Sequence, residues 1–329
     1  MTRAIRFHET GGPDVLRFEP VEVPAPGPGD VLIRAAAFGL NRAETLFRSG
    51  SYIETPSLPS GLGLEASGVV EAVGAGVTAF SPGDAVSVVP PISMVARPVH
   101  AERFTYPADR VLRNPEGIGH VEAAATWMAY LTAYGALVDL ARLRSGETVA
   151  ITAASSSVGL AAIDVARRVG ARPVAITRTV AKREALLAAG ADAVVASAEE
   201  PVAETLARIA GPDGVRVVLD AIGGPPVGDL AAAMARHGIL IAYGGLSPEP
   251  TPFPLLSALS NRLTLRGYLV HEVTEDPVRL AAAIAFVREG LASGAFTPRI
   301  AKVFPFEAYA EAHRYLESNA QFGKVVVRL

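Results

Sequence analysis

The sequence predicts an α/β protein in two parts, an irregular β-rich domain followed by a doubly wound parallel-sheet domain. Three observations predict it. The first 120 residues alternate short β-branched runs with Pro- and Gly-rich turns. From about residue 121 the apolar period changes to a strict β–α alternation. The turn after the first strand of that alternation, Ala153-Ala154-Ser155-Ser156-Ser157-Val158-Gly159, is built of small residues. A chain of 329 residues suits two domains of ordinary size, and a hydrophobic share of 50% can fill two cores.

In the first part Val31-Leu32-Ile33-Arg34, Gly68-Val69-Val70-Glu71-Ala72-Val73 and Ala85-Val86-Ser87-Val88-Val89 read as strands. Pro26-Gly27-Pro28-Gly29-Asp30 and Ser81-Pro82-Gly83-Asp84 supply tight turns between them. One short helix is expected over 41–48. The Ala-rich stretch 121–140 reads as a long helix. Strands then fall at 148–153, 172–177, 193–196, 215–220 and 239–243, with helices at 158–169, 180–189, 201–210 and 226–236. A further strand at 263–269, two helices and a closing strand at 324–328 complete the chain.

Composition removes several classes of function. With no cysteine, disulfides, Fe–S clusters, thiolate nucleophiles and cysteine-ligated zinc sites are excluded. A net charge of -3 carries no nucleic-acid signature. The 31 Gly and 25 Pro follow no period, so collagen-like and low-complexity readings fail. The N-terminal residues lack the apolar core of a signal peptide, and no stretch is apolar enough to span a membrane, so a cytoplasmic protein is expected. Only Lys182, Lys302 and Lys324 are lysines among many arginines; a lysine that survives such a bias has a reason to be kept.

The small-residue turn carries the chemistry. A dinucleotide fold needs small residues there so that the backbone can approach a pyrophosphate at the helix N-terminus. Ala154, Ser156 and Gly159 hold the three positions of G-x-G-x-x-G, while Ser155, Ser157 and Val158 fill the rest. The competing reading is a plain strand–turn–helix with a serine N-cap. The second strand ends about twenty residues later, where an NAD site places an acid for the ribose 2′-hydroxyl. Here stand Thr177-Arg178-Thr179, followed by Lys182-Arg183: hydroxyls and three cations, which suit a 2′-phosphate and hence NADPH. Ser197, one residue past the third strand, joins the cofactor set.

Gly39-Leu40-Asn41, Gly61-Leu62-Gly63-Leu64-Glu65-Ala66-Ser67-Gly68-Val69-Val70, Gly83-Asp84, Leu131-Thr132-Ala133-Tyr134, Asp220-Ala221-Ile222-Gly223-Gly224 and Tyr243-Gly244-Gly245 extend the pattern. With them the chain resembles, along nearly its whole length, the zinc-free quinone oxidoreductase branch of the medium-chain dehydrogenase/reductases. The resemblance implies a GroES-like substrate domain over 1–120, completed by 267–329, and a Rossmann NADPH-binding domain over 121–266. It also implies a nicotinamide in the cleft between them. Zinc-dependent relatives use a Cys, a His and a second Cys as ligands. Those positions correspond to Asn41, Leu64 and Met128, which offer an amide, no donor and a weak thioether, so no metal is expected. The six histidines are scattered without ligand spacing.

The resemblance places Asn41 and Thr132 near the nicotinamide, Lys182 on the 2′-phosphate, Gly244, Gly245 and Leu246 at the crevice, and Asn319 on the cofactor. Asn319 also reads as a helix C-cap. Relatives carry Gly-Gly where Ser156-Ser157 stand. A tyrosine they carry in the helix after Asn41 is Leu46 here, which leaves Tyr52 to gate the cleft or donate a proton, against its reading as a half-buried loop tyrosine. Trp127, Tyr130 and Tyr134 share one helical face, as an aromatic substrate box or, more simply, as core. The implied activity is metal-independent hydride transfer from NADPH to a quinone or enone. Alternatives are an enoyl or polyketide-tailoring reductase, whose Lys and Asp near 244–246 are absent here, and an NADPH-binding protein with little turnover. A homodimer is implied too, with 263–269 as its edge strand or as an interior one.

Overall fold

A computed structural model describes residues 1–90 and 93–329, and these form two compact units: Met1–Met128 with Pro298–Leu329, and Ala129–Thr297. The first unit is built on a seven-stranded sheet. The path of its order is Ile300–Pro305, Lys324–Arg328, Asp30–Gly39, Ala66–Val73, Ala85–Val88 and Val111–Arg113, with Arg103–Pro107 also paired to Asp30–Gly39. Asp30–Gly39 is the hub: Val31, Ile33, Ala35 and Ala37 alternate into the core, as a half-buried strand requires. Arg17–Val21, Thr2–Phe7 and Ser60–Gly61 form a smaller three-stranded sheet. The helix Arg42–Arg48 begins at Asn41, whose backbone N–H donates to the Glu44 carboxylate at 2.9 Å.

The second unit is a six-stranded parallel sheet in the order Ala193–Ala196, Arg172–Thr177, Thr148–Ile151, Val215–Asp220, Met234–Ala242, Thr264–Gly267. Val149, Ala150, Ile151, Val217, Val218 and Leu219 have no exposure, the signature of strands covered on both faces. The order reverses beside Thr148–Ile151, so the topological switch point lies at the C-terminal end of that strand.

Three expectations need correction. The stretch 121–140 is not one helix but His120–Ala123, Trp127–Tyr134 and a π-helical turn Gly135–Leu140. Thr126 bonds back to the Glu122 carbonyl at 2.7 Å, and the Met128 N–H at the break donates to Glu65 Oε1 at 3.0 Å. The unit boundaries also differ from 120 and 267. Ala124 and Ala125 pack on Ala37 and Val326 of the first unit's sheet. Residues 267–297 stay with the second unit, through Arg279 on Asp139 at 2.7 Å and Phe296 stacked on Tyr130 at 4.8 Å. Finally the strand expected at 239–243 starts at Met234, the helix before it ends at Ala232, and a register shift accommodates the extra residues. Ile300–Pro305 and the helix Leu255–Asn261 have no counterpart in the sequence reading. Among the described residues no helix is long and apolar enough to cross a membrane.

Candidate functional site

At the switch point, the strand Thr148–Ile151 runs into the turn that precedes the helix Ser157–Arg168. Thr152 Oγ1 donates to Asp220 Oδ1 at 2.7 Å and accepts the Ala221 N–H at 2.8 Å, which ties together the two central strand ends. Asp220 accepts the N–H groups of Ile222 and Gly223 at 3.0 and 2.9 Å. Ser156 caps the helix, accepting from Gly159 N–H at 3.1 Å, so the cap reading describes its hydrogen bond. That bond leaves other N–H groups of the first turn without intrahelical partners. Ala154 is fully buried, whereas Ser155, Ser156, Ser157 and Val158 are half-buried. A Cβ on Gly159 would lie 2.6 Å from Ala154 Cα and O, so this last small residue is what lets helix and turn approach.

Beside the turn, Lys182 reaches back from the end of the second strand and donates from Nζ to Ser155 Oγ at 3.1 Å. Burial first, and then the nearby Arg178 guanidinium, lower the pKa of its ammonium. Two cations thus converge beside the turn, and among the described residues no carboxylate is within ion-pair distance of Arg178. Thr177 is buried at the strand end, while Thr179 is half-buried. Exposed Ser197 donates its N–H to the Thr177 carbonyl at 2.8 Å, and Ala198 donates to that of Arg178 at 2.9 Å. The third cation of the sequence reading faces elsewhere: Arg183 pairs with Glu200 and the Val194 carbonyl.

On the other side of the switch point Gly244, Gly245 and Leu246 are exposed, and Leu246 N–H donates to the Ala221 carbonyl at 3.2 Å. Tyr243, which the sequence reading used only as part of a motif, hydrogen-bonds Ser156, and burial raises the pKa of its phenol. Thr132 is buried on Trp127–Tyr134. Of the three aromatics of that helix, Trp127 and Tyr130 are buried and Tyr130 donates to Asp164 at 2.7 Å, while half-buried Tyr134 packs against Phe286. They are core.

The first unit holds the other predicted residues. Asn41, 8% exposed, sits in a buried ionic cluster. Lys324 Nζ donates to Asn41 Oδ1 at 2.7 Å and to Glu65 Oε2 at 2.5 Å, with Lys324 and Glu65 essentially without exposure. Glu44, equally buried, accepts from Asn41 N–H and from Leu64 N–H at 3.0 Å. Burial pushes its carboxyl up to about 7, against those bonds and the Lys324 charge. Behind it His100 Nδ1 meets the Tyr309 hydroxyl at 2.5 Å, and burial holds His100 down at about 3. Tyr52 is half-buried, and burial, Glu54 and Glu44 raise its pKa, so it keeps its proton at neutral pH. Asn319 is exposed with φ +59° just past the helix Tyr309–Glu317, the geometry of a C-cap, and its Oδ1 accepts from Arg42 at 2.5 Å.

A zinc ion does not fit the Asn41, Leu64 and Met128 set. Leu64 has no donor, and the Asn41 oxygen already carries the Lys324 ammonium. Among the described residues no group of three or more His, Cys, Asp or Glu side chains is arranged to hold a metal.

Two family models match the chain: an alcohol dehydrogenase GroES-like domain over residues 27–138 and a zinc-binding dehydrogenase over 189–327. Quinone oxidoreductase 1 of Escherichia coli (strain K12) is 32% identical, with 98% of each chain covered. The crystal structure of Escherichia coli quinone oxidoreductase complexed with NADPH superposes with a TM-score of 0.91 at 29% identity, covering 99% of this chain and all of that one. The CurK enoyl reductase follows with a TM-score of 0.89 at 25% identity, covering 99% of both chains.

Proposed function

As the chain belongs to the zinc-free quinone oxidoreductase branch of the medium-chain dehydrogenase/reductase superfamily, we propose that it is an NADPH-dependent oxidoreductase that reduces conjugated acceptors of the quinone class. The observation that carries the cofactor is Lys182 on Ser155 of the switch-point turn, with the Arg178 charge near that lysine and no acid at the end of the second strand. In this reading Arg178 and Lys182 take the 2′-phosphate, with Thr177, Thr179 and Ser197 around it. The turn Ala154–Gly159 takes the pyrophosphate, and Gly244, Gly245, Leu246, Thr132, Asn41 and Asn319 complete the dinucleotide contacts.

Bound NADPH supplies the hydride. A quinone or enone needs no Lewis acid, because conjugation already spreads the charge that the hydride delivers. The chain's own contribution is then proximity and orientation. Tyr52 holds a proton at neutral pH and is the candidate to pass it to the reduced acceptor. The likeness to the CurK enoyl reductase favours a second reading, reduction of an enoyl thioester by the same machinery. We also propose a homodimer. Thr264–Gly267 is a sheet edge in this chain, and Phe253, Leu255, Leu256 and Leu259 beside it are 55 to 80% exposed, an apolar patch suited to a second copy.

The test is NADPH oxidation by the purified protein with an ortho-quinone, beside NADH and an enoyl thioester. NADPH-selective quinone turnover supports the proposal. Thioester turnover without quinone turnover supports the second reading, and NADPH binding without either leaves a binding protein.

A further inference from the structure

The segment that carries the proposed 2′-phosphate cations is held by a carboxylate from the neighbouring strand. Beyond the paired residues Thr177 and Ala196, the chain leaving Ala193–Ala196 stays alongside the chain leaving Arg172–Thr177. Ser197 N–H donates to the Thr177 carbonyl at 2.8 Å and Ala198 N–H to the Arg178 carbonyl at 2.9 Å. Then the direction of donation reverses, and Val180 N–H donates to Glu199 Oε1 at 3.2 Å. The N–H groups of Glu199 and Glu200 both meet the Ala196 carbonyl at 2.9 Å, which holds 196–200 as a tight turn.

Val180 opens a short 3-10 turn, Val180–Lys182, whose first N–H groups have no partner inside the turn. Thr179 stands at the N-cap position with extended backbone and is a residue type suited to capping, yet its hydroxyl makes no capping bond. Glu199 supplies the acceptor instead. The Val180 carbonyl in turn accepts the Arg183 N–H, so this residue is tied through both of its backbone groups. Arg178 lies two positions before it and Lys182 two positions after. The next acid has a different duty: Glu200 pairs with Arg183 and keeps that cation away from the corner. Among the described residues Glu199 makes no ion pair, so what it contributes here is an acceptor.

We infer that Glu199 is a positioning residue for the 2′-phosphate corner: by taking the Val180 N–H it fixes the segment from Arg178 to Lys182 and leaves the Thr179 hydroxyl uncommitted. This rests on the proposed NADPH reading. Without the bond, both cations lose a fixed attachment, and the Thr179 hydroxyl is drawn toward the freed end of the turn. The acid thus favours a phosphate through geometry although its own charge opposes one, and the two effects can be separated by substitution.

The probes are 2′,5′-ADP, which carries a 2′-phosphate, and ADP, which does not, each titrated calorimetrically into the wild-type protein, Glu199→Gln and Glu199→Ala. Glu199 is exposed, so both variants should fold as the wild type does. Glutamine keeps an oxygen acceptor and removes the charge, whereas alanine removes both. Glu199→Gln should bind 2′,5′-ADP as tightly as the wild type or more tightly, since a negative charge leaves the corner. Glu199→Ala should bind it about three- to tenfold more weakly than Glu199→Gln does, the loss of one capping bond. Affinity for ADP should stay within about twofold in all three proteins. Equal affinity of the two variants for 2′,5′-ADP, a Glu199→Gln weaker than the wild type, or a loss that ADP shares overturns the role of Glu199. A wild type that binds 2′,5′-ADP no better than ADP overturns the 2′-phosphate reading itself, and the inference with it.

Discussion

Replacing Lys182 by alanine tests the cofactor reading where it is most exposed to failure. The side chain is half-buried, its ammonium is 3.1 Å from Ser155 Oγ, and its charge is crowded by Arg178. A unit charge about 4 Å from a phosphate charge gains about 4 kcal/mol at the effective dielectric of a protein surface. Desolvation and solvent screening reduce that to the roughly 1.5–3 kcal/mol of a charge-assisted hydrogen bond. Lys182→Ala should therefore weaken NADPH by about 10- to 100-fold, since about 1.4 kcal/mol is a factor of ten. NADH, which lacks the 2′-phosphate, should change by less than about twofold. The assay is kcat/KM for both cofactors against one quinone, with dissociation constants from cofactor fluorescence so that binding is read even without turnover. Arg178→Ala, at an exposed position, should show the same selectivity with a smaller effect. An equal loss for NADPH and NADH, or no loss for either, would refute the assignment of this corner to the 2′-phosphate.

Three more outcomes follow from the same geometry. Gly159→Ala drives a Cβ to 2.6 Å from Ala154 backbone atoms, so NADPH affinity should fall at least about tenfold with about 1–3 kcal/mol of lost stability, read by fluorescence titration and urea unfolding. Stability should also bend with pH. His100, lowered to about 3, and His313, lowered well below its usual value by burial and then by Arg48, bind protons more readily when unfolded, so their contribution is present above about pH 6.5 and is lost on acidification; for His100 that is up to about 5 kcal/mol by pH 3. Glu44, raised to about 7, acts in the opposite sense, its contribution being full below about pH 4.5 and lost as pH rises through 7. Urea midpoints should thus rise slightly from pH 8 to 6.5 and drop below it, and His313→Gln should shrink the drop; an unchanged drop in that variant argues against buried neutral imidazoles. Lastly, Leu256→Glu with Leu259→Glu should convert a dimer to monomer in sedimentation at unchanged folding, whereas a wild-type monomer removes the dimer proposal.

How much the sequence discloses depends on how local the signal is. The strands at 172–177, 193–196, 215–220 and 324–328 match the sequence expectation, because each is a short buried apolar run ended by its own turn. Ile300–Pro305 is invisible for the opposite reason: it is a sheet edge with Lys302 and Val303 exposed, so no alternation marks it. The site divides in the same way. The turn from Ala154 to Gly159 is contiguous and legible, and so is Lys182. Glu65 could be quoted as part of a motif, but nothing local says that its carboxylate meets an ammonium 259 residues away. Tyr243 and Ser156 are likewise joined only by the switch point of the sheet. The scarcity of lysine was the one available hint: Lys182 and Lys324, two of only three in the chain, stand at Ser155 and Asn41.

The closing strand Lys324–Arg328 has a consequence for how the molecule comes into being. It fills the place between Ile300–Pro305 and Asp30–Gly39, so a sheet begun at residue 30 is not finished until the last strand is made. While the ribosome makes the parallel-sheet unit, the Ala37–Gly39 end of Asp30–Gly39 lacks its closing partner, Arg103–Pro107 already pairing with Asp30–Arg34, and Glu65 lacks its cation. Contacts this distant in sequence are closed late, after the local ones. The second unit, whose strands all lie between residues 148 and 267, can be complete by then. Stalling or truncation before residue 324 should accordingly leave a folded parallel-sheet unit beside a sheet that lacks its interior strand.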